Sequence, residues 1–352
     1  MKRIFYRIKH RFKKMPIANN IKGSYLEFII RELLKNCGFS KVKPDDLYIF
    51  QRGDLTMIHG KGSAHDADVL MNPPIQMPFS FPFRLNFECK AYKNKIGLSI
   101  VRNALGLRND INNFEIVTKS QIQLRRNKRR DSNAIEGRQR FNYQVGVGSI
   151  EEFTNDAFEF SANNKIPLIS LRWIFSKEIC DRLQELTPKY LRRFSHQELL
   201  QINSYLKGKE NKNGRRLVES ENSKLSEIYK YIQSFKDKIL IGLLESGDLL
   251  FLKAEQEINR DELFQIGERL KAKYHYLHNE KHKWELTIND DYLFTFHLPE
   301  KFMKIWEKQN HSQQEALGLK SQYFQKLIVF LSDQANPFRI IQLDKQWIEG
   351  LS

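Results

Sequence analysis

Residues 65–90 read HDADVLMNPPIQMPFSFPFRLNFECK, and the architecture turns on how the two ends of this stretch fold. Along a strand, successive side chains point to opposite faces. In RLNFECKAY, residues 84–92, one face carries Leu85, Phe87, Cys89 and Ala91, which suits a core. The other carries Asn86, Glu88, Lys90 and Tyr92, so Glu88 and Lys90 point the same way. HDADVLM, residues 65–71, reads as a short strand with Asp66 and Asp68 on one face, opposite Ala67, Val69 and Met71. Between them stand Pro73, Pro74, Pro78 and Pro82. Proline cannot donate to a strand ladder, so this segment is expected as a loop. If the flanking strands pair, two or three carboxylates and one ammonium converge.

Working outward, NIKGSYLEFIIRELLKNC (20–37) spaces Leu26, Ile29, Ile30, Leu33 and Leu34 as a helix, with Gly38 where a helix end favours glycine. A strand pair is expected over 47–58 around Arg52-Gly53-Asp54, and a helix over 98–114. A basic loop follows, then the strand FNYQVGVGSI. The next helix is expected to open at Ser149, with Glu152 completing a capping box, and IPLISLRWIF to form a further strand. This order predicts an α/β fold: a central mixed sheet flanked by helices.

From about residue 195 the pattern changes. A helix (SHQELLQINSYL) and a lysine-rich linker lead to strand candidates KILIGLLES and DLLFLKA, joined at Gly247-Asp248. A helix over NRDELFQIGERLKAKY is expected next, then strands YHYLH, KWELTI and YLFTFHL, a helix over PEKFMKIWEKQ, and strands KLIVFL and FRIIQL. The expected organisation is a basic N-terminal arm (1–19), an α/β domain (20–194), a helical linker (195–235) and an α+β domain (236–352). The aromatic side chains Tyr274, Tyr276, Trp284, Phe294 and Phe296 are read as core.

Charge separates the two halves. Residues 1–150 hold 28 Lys and Arg against 12 Asp and Glu, whereas residues 151–352 hold 30 of each. The whole excess of +16 therefore surrounds the acidic window. Such a one-sided positive field attracts a polyanion, nucleic acid first and an acidic membrane surface second. With 41% hydrophobic residues the chain can build real cores, and no apolar run reaches the ~20 residues of a membrane span. No apolar core or cleavage site follows the basic N-terminus, so no secretory signal is expected. Cys37, Cys89 and Cys180 show no CxxC or Cys/His pairing, which argues against a disulfide framework or a zinc site and fits a reducing cytoplasm.

Carboxylate oxygens are the natural ligands of Mg²⁺, which needs only one or two of them plus waters and substrate phosphate. Beside a phosphodiester, such an ion lowers the pKa of a water and neutralises developing charge, and a neighbouring lysine positions or deprotonates that water. Glu-x-Lys by itself carries little information. It recurs here as Glu210-Asn211-Lys212, in a polar segment without an apolar strand around it.

The order of motifs says more. GSYLEFIIRELLKNCGFSKV, HDADVL, FECKAY and then YQVGVGSIEEFTNDAFEFSANNKIPLISL resemble the PD-(D/E)xK restriction-endonuclease-like superfamily in its Mrr-like branch, over residues 20–175. Glu88 follows Asp68 by 20 residues, Phe153-Thr154 and Ala157 stand as in the family's late helix, and Ala162 is shifted. The resemblance implies a restriction-endonuclease-like core and metal ligation by Asp68, Glu88 and the backbone carbonyl of Cys89. It makes Lys90 the catalytic lysine, with Glu27 completing the acidic cluster. Asp66 is the alternative to Asp68, which is preferred because it directly precedes Val69-Leu70-Met71. His59 and His65 lie nearby in sequence and are read as neighbours, not ligands. Lys93, Lys95, Arg102 and the run Arg125, Arg126, Lys128, Arg129, Arg130 are candidate phosphate contacts.

The resulting expectation is a cytoplasmic, Mg²⁺-dependent DNA endonuclease, with Mn²⁺ as a substitute, acting on duplex DNA in restriction or phage defence. A double-strand break needs two active sites or two visits, which is compatible with a homodimer, and the resemblance implies a defence-system partner protein as a further option. The alternatives are a catalytically inactive nucleic-acid-binding or scaffold protein on the same fold, and a nuclease for RNA or branched DNA.

Overall fold

The computed structural model describes residues 2–45, 48–76, 81–113, 141–221, 223–244, 249–259, 262–263, 270–277, 283–298, 303, 312–330 and 338–349, with the backbone alone for 2–16 and 313. The chain is a mixed α/β protein. Its first unit is a five-stranded sheet in the order β1-β5-β6-β7-β8: β1 Ser40–Lys41, β5 Val69–Asn72, β6 Phe83–Lys90, β7 Asn142–Ser149 and β8 Leu168–Ser170. β5 runs antiparallel to β1 and β6, while β6, β7 and β8 are mutually parallel. Helix α1, Lys2–Asn36, covers one face; its Tyr25, Leu26, Ile29, Ile30 and Leu33 are fully buried against Leu85 and Phe87. Helices α2, Leu98–Asn112, and α3, Asn155–Asn164, cover the other through Val145 and Val147. A parallel sheet needs cover on both faces, and β7 shows how it is achieved. Val145 and Val147 face α2, while Gly146 and Gly148 face the other way. A Cβ on Gly148 would lie 2.1 Å from Ile30 Cδ1, so α1 packs this close only because no side chain stands there.

Two expected elements take other forms. HDADVLM is not one strand. It divides into β4, Ala64–Asp66, which joins β2, Ile49–Arg52, and β3, Leu55–His59, in a separate three-stranded sheet, and β5, which joins the main sheet. Ala67 and Asp68 form the crossing, and Val69, Leu70 and Met71 are all buried because β5 is covered on both faces. The helix expected from Ser149 begins instead at Asn155, behind Thr154. Ser149 ends β7, and its hydroxyl accepts from Glu151 N–H at 3.1 Å, a local turn that competes with a capping box.

β8 is three residues long and passes into a 3₁₀ turn, Leu171–Trp173. Beyond it lies a helical layer: α4 Lys177–Gln184, α5 Pro188–Leu191, α6 His196–Leu206, α7 Lys212–Glu219 and α8 Lys224–Gln233. Sequence reading predicted only α6 here, which carries a full capping box of Ser195 and Glu198. The segment 195–235 is not an extended connector. Leu199, Ile202, Leu206, Val218, Leu225, Ile228 and Ile232 share one core with α1.

The C-terminal part contains a closed seven-stranded barrel, ordered β10-β13-β12-β11-β15-β14-β9. Its strands are β9 Ile239–Leu244, β10 Leu249–Ala254, β11 Leu270–Tyr276, β12 Lys283–Ile288, β13 Tyr292–His297, β14 Lys326–Phe330 and β15 Phe338–Leu343. Only the β11–β15 pair is parallel. Leu270-Lys271-Ala272-Lys273-Tyr274, expected as the end of a helix, is strand. The turn 245–248 and most of the two helices expected over 259–309 lie outside the described residues. Two helices not predicted, α9 Gln313–Tyr323 and α10 Lys345–Glu349, pack against the barrel. Trp284, Phe294, Phe296 and Tyr274 belong to the barrel core, as read from sequence. β9 is shared: Leu240 and Leu244 face the barrel core, while Ile239 and Ile241 join the core around α1. Two-sided burial accounts for the unbroken apolar run ILIGLL. No helix among the described residues is long and apolar enough to cross a membrane.

Candidate functional site

The ladder places the acidic residues. Val69 pairs with Phe87, and Asp68, just before β5, lies within electrostatic reach of Glu88. Asp68 Oδ2 accepts the Cys89 N–H at 2.7 Å, which ties the crossing between β4 and β5 to the end of β6. On β6, Lys90 Nζ lies 2.9 Å from Glu88 Oε2, the same-face contact that alternation predicts. Glu27 reaches the cluster from α1 and is buried; its Oε1 accepts from Lys207 Nζ at 3.0 Å, and its Oε2 is buried without a hydrogen-bond partner. Asp66, Asp68, Lys207, Arg31 and Lys41 line one small cavity of about 20 Å³, room for a single water.

Burial and mutual repulsion shape the electrostatics. Glu27 is raised to about 7, first by burial and then by the charge of Asp68, against the pull of Lys207. Asp68 is raised to about 6 by burial, opposed by its bond from Cys89 N–H and reinforced by Glu88. Asp66 is also raised, by burial, with Lys207 pulling down and Glu88 pushing up. Burial alone would lower Lys90, but its hydrogen bond and charge pairing with Glu88 outweigh it and hold the ammonium above its usual value. Lys207 behaves in the same way toward Glu27.

Other candidates fall elsewhere. His65 is bound to Asp110 at 2.6 Å, and Asp110 also accepts from Gly62 N–H, so this histidine braces a loop. His59 stacks on Phe50 at 4.6 Å. Lys93 is exposed past the end of β6, and its charge reaches Lys22 of α1. Lys95 is exposed and paired with Glu152 at 2.7 Å. Arg102 lies on α2, on the sheet face opposite α1, with its guanidinium 5.7 Å from the Phe160 ring. Arg125, Arg126, Lys128, Arg129 and Arg130 lie outside the described residues. Lys207 and Arg31 were not anticipated; the only local signal was Gly208 after α6, which marks a helix end and no chemistry.

Among the described residues, no group of three or more His, Cys, Asp or Glu side chains is disposed as a ready metal site. The donor set still fits a single Mg²⁺, which takes one or two carboxylates and draws its remaining ligands from water and phosphate. The buried, unpartnered Oε2 of Glu27, and the burial that raises Asp68 and Glu27, leave carboxylate oxygens that a cation would satisfy. A larger cavity of about 500 Å³ lies between the five-stranded sheet and the barrel; it is mostly apolar, lined by Phe39, Leu85, Trp173 and Phe251 among others, and holds no carboxylate.

No protein-family model matches the chain, and no curated protein matches it. One solved structure, titled "Crystal Structure of Protein of Unknown Function AF1548", is similar at 13% identity with a TM-score of 0.27, covering 60% of this chain and 98% of that one. A likeness so slight carries no argument about fold or function.

Proposed function

We propose that the chain is a divalent-cation-dependent nuclease that hydrolyses phosphodiester bonds in DNA, on a restriction-endonuclease-like core. Asp68 and Glu88 would hold Mg²⁺, or Mn²⁺ in its place, with the Cys89 carbonyl as a further ligand. The observation that carries this reading is the Cys89 N–H bond that holds Asp68 at the end of β6 beside Glu88, with Lys90 on Glu88 and Glu27 near Asp68. The excess positive charge of residues 1–150 supports a polyanionic substrate. Roles in restriction or phage defence, and assembly as a homodimer or with a defence partner, rest on the family resemblance alone.

When bound, the ion supplies charge neutralisation at the scissile phosphate and an acidified water. Lys90, 2.9 Å from Glu88, would position or deprotonate the attacking water and add positive charge beside the phosphate. Water adds to phosphorus, the ester bond to the leaving oxygen breaks, the water's proton passes to solvent, and the leaving oxygen takes one up.

The test is incubation of supercoiled plasmid with Mg²⁺, Mn²⁺ or EDTA, beside Lys90→Ala and Glu88→Ala. Metal-dependent cleavage is expected in the parent and a fall of about 10²-fold or more in both variants. Full activity in either folded variant overturns the reading. Parallel assays on single strands, RNA and four-way junctions separate the substrate classes.

A further inference from the structure

Lys207 reaches the acidic cluster from outside the sheet and its flanking helices. It sits at the C-terminal end of α6, and its ammonium lies 3.0 Å from Glu27 inside a largely buried pair. The turn that presents it, Leu206-Lys207-Gly208-Lys209, is fastened at several points. The Arg31 guanidinium donates to the Leu206 carbonyl. Lys41 Nζ donates to the Gly208 carbonyl at 3.3 Å. Lys209 Nζ donates to the Gly53 carbonyl at 2.8 Å and pairs with Asp54. Gly208 has φ +80° and faces the Arg31 guanidinium, so a side chain there would be both strained and crowded. A lysine held this way is not a surface side chain that has folded inward.

We propose that Lys207 is the tethered second cation of this site: its ammonium stands between Glu27, Asp66 and Asp68 where a second divalent ion would otherwise bind, so the chain takes one divalent cation and not two. The inference rests on the nuclease reading above. Space supports it, because the cavity beside Asp66, Asp68 and Lys207 is about 20 Å³, too small for an ion that keeps its waters. Lys207 is a positioning residue in this scheme, acting on the carboxylates and not on the phosphate.

The experiment is calorimetric titration of Mn²⁺ into the full chain, into the millimolar range, for the parent, Lys207→Met, Lys207→Arg and Glu88→Ala. One Mn²⁺ per chain is expected for the parent and for Lys207→Arg, two for Lys207→Met, and at least about tenfold weaker binding for Glu88→Ala. Two ions in the parent overturn the inference without recourse to any variant, so a Lys207→Met chain that fails to fold does not protect it. One ion in a folded Lys207→Met, bound as in the parent, overturns it while leaving the nuclease reading intact. No Mn²⁺ bound by the parent, with Glu88→Ala indistinguishable from it, overturns the nuclease reading and the inference together.

Discussion

Replacing Glu27 by Gln should stabilise the metal-free protein, increasingly as pH rises from 4.5 through neutrality. Glu27 is buried, and its carboxyl is raised from an ordinary 4.5 to about 7. Below pH 4.5 both folded and unfolded chains carry the neutral acid, and its charge costs nothing. Between 4.5 and 7 the unfolded chain gives up the proton while the folded chain keeps it, so stability falls as pH rises. Above 7 the full cost is present, about 3 kcal/mol at ~1.4 kcal/mol per unit. Near pH 5 most of this has not yet developed. The advantage of Gln over Glu should therefore grow by about 2–3 kcal/mol between pH 5 and pH 8.

The Lys207 contact does not confuse the comparison. Near pH 5 the neutral Glu27 and a Gln present that ammonium with nearly the same partner. Near pH 8 its attraction is already contained in the raised value. Removing the Glu27 charge also relieves Asp68, in the same direction. For a core of this size the growth corresponds to about 5–10 °C in the first thermal transition. Melting of parent and Glu27→Gln in EDTA, across pH 5 to 8, measures it. A difference between the two proteins that stays flat across that range, or a Gln variant that melts lower near pH 8, refutes the placement of Glu27 as a buried acid only partly compensated by Lys207.

Three further outcomes follow from the same geometry. Asp68→Ala leaves the Cys89 N–H without its acceptor and should cost about 1–3 kcal/mol, whereas Asp68→Asn keeps an acceptor and should melt near the parent; both should lose Mn²⁺ in calorimetry. Gly148→Ala drives a methyl into Ile30 Cδ1 and should cost about 1–3 kcal/mol, most of it recovered by adding Ile30→Val, which removes that atom; no recovery in the double variant would place the strain elsewhere. Because cation binding requires ionised carboxylates, and Asp68 and Glu27 titrate at about 6 and about 7, Mn²⁺ affinity should fall about tenfold or more from pH 7.5 to pH 5.5; a flat profile removes them from the site.

The parts of this fold legible in the sequence were those whose apolar residues repeat at one clean period: helix α1 over its buried stretch, the alternating strand ending Glu-Cys-Lys, α2 and β7. The parts that were not legible carry two competing signals. Residues 65–71 look like one strand because their alternation runs unbroken through Asp66 and Asp68, yet the chain changes sheet between those residues. Nothing in the local pattern marks the crossing, since Ala67 is buried on one side of it and Val69 on the other. The barrel was hidden for a related reason. β9 is apolar on both faces because two cores claim it, and β11 begins inside a stretch, LKAKY, whose spacing suits a helix as well as a strand.

The acidic cluster is organised so that its frame does not depend on its ligand. The carboxylate of Asp68 is committed on one oxygen to a backbone N–H of β6, and β6 is held along its whole length by β7, from Phe83 against Asn142 to Lys90 against Ser149. The strand ends are therefore pinned with no cation present. Burial of Glu27, Asp66 and Asp68 in that rigid frame, reinforced by their neighbouring carboxylates, raises their affinity for protons. A cluster that could relax would turn a carboxylate outward to water; this one cannot, because Glu27 is packed within α1 and its unpartnered oxygen is buried. On the proposed reading, protons and a divalent cation would compete for these carboxylates, so raising the pH should favour the cation.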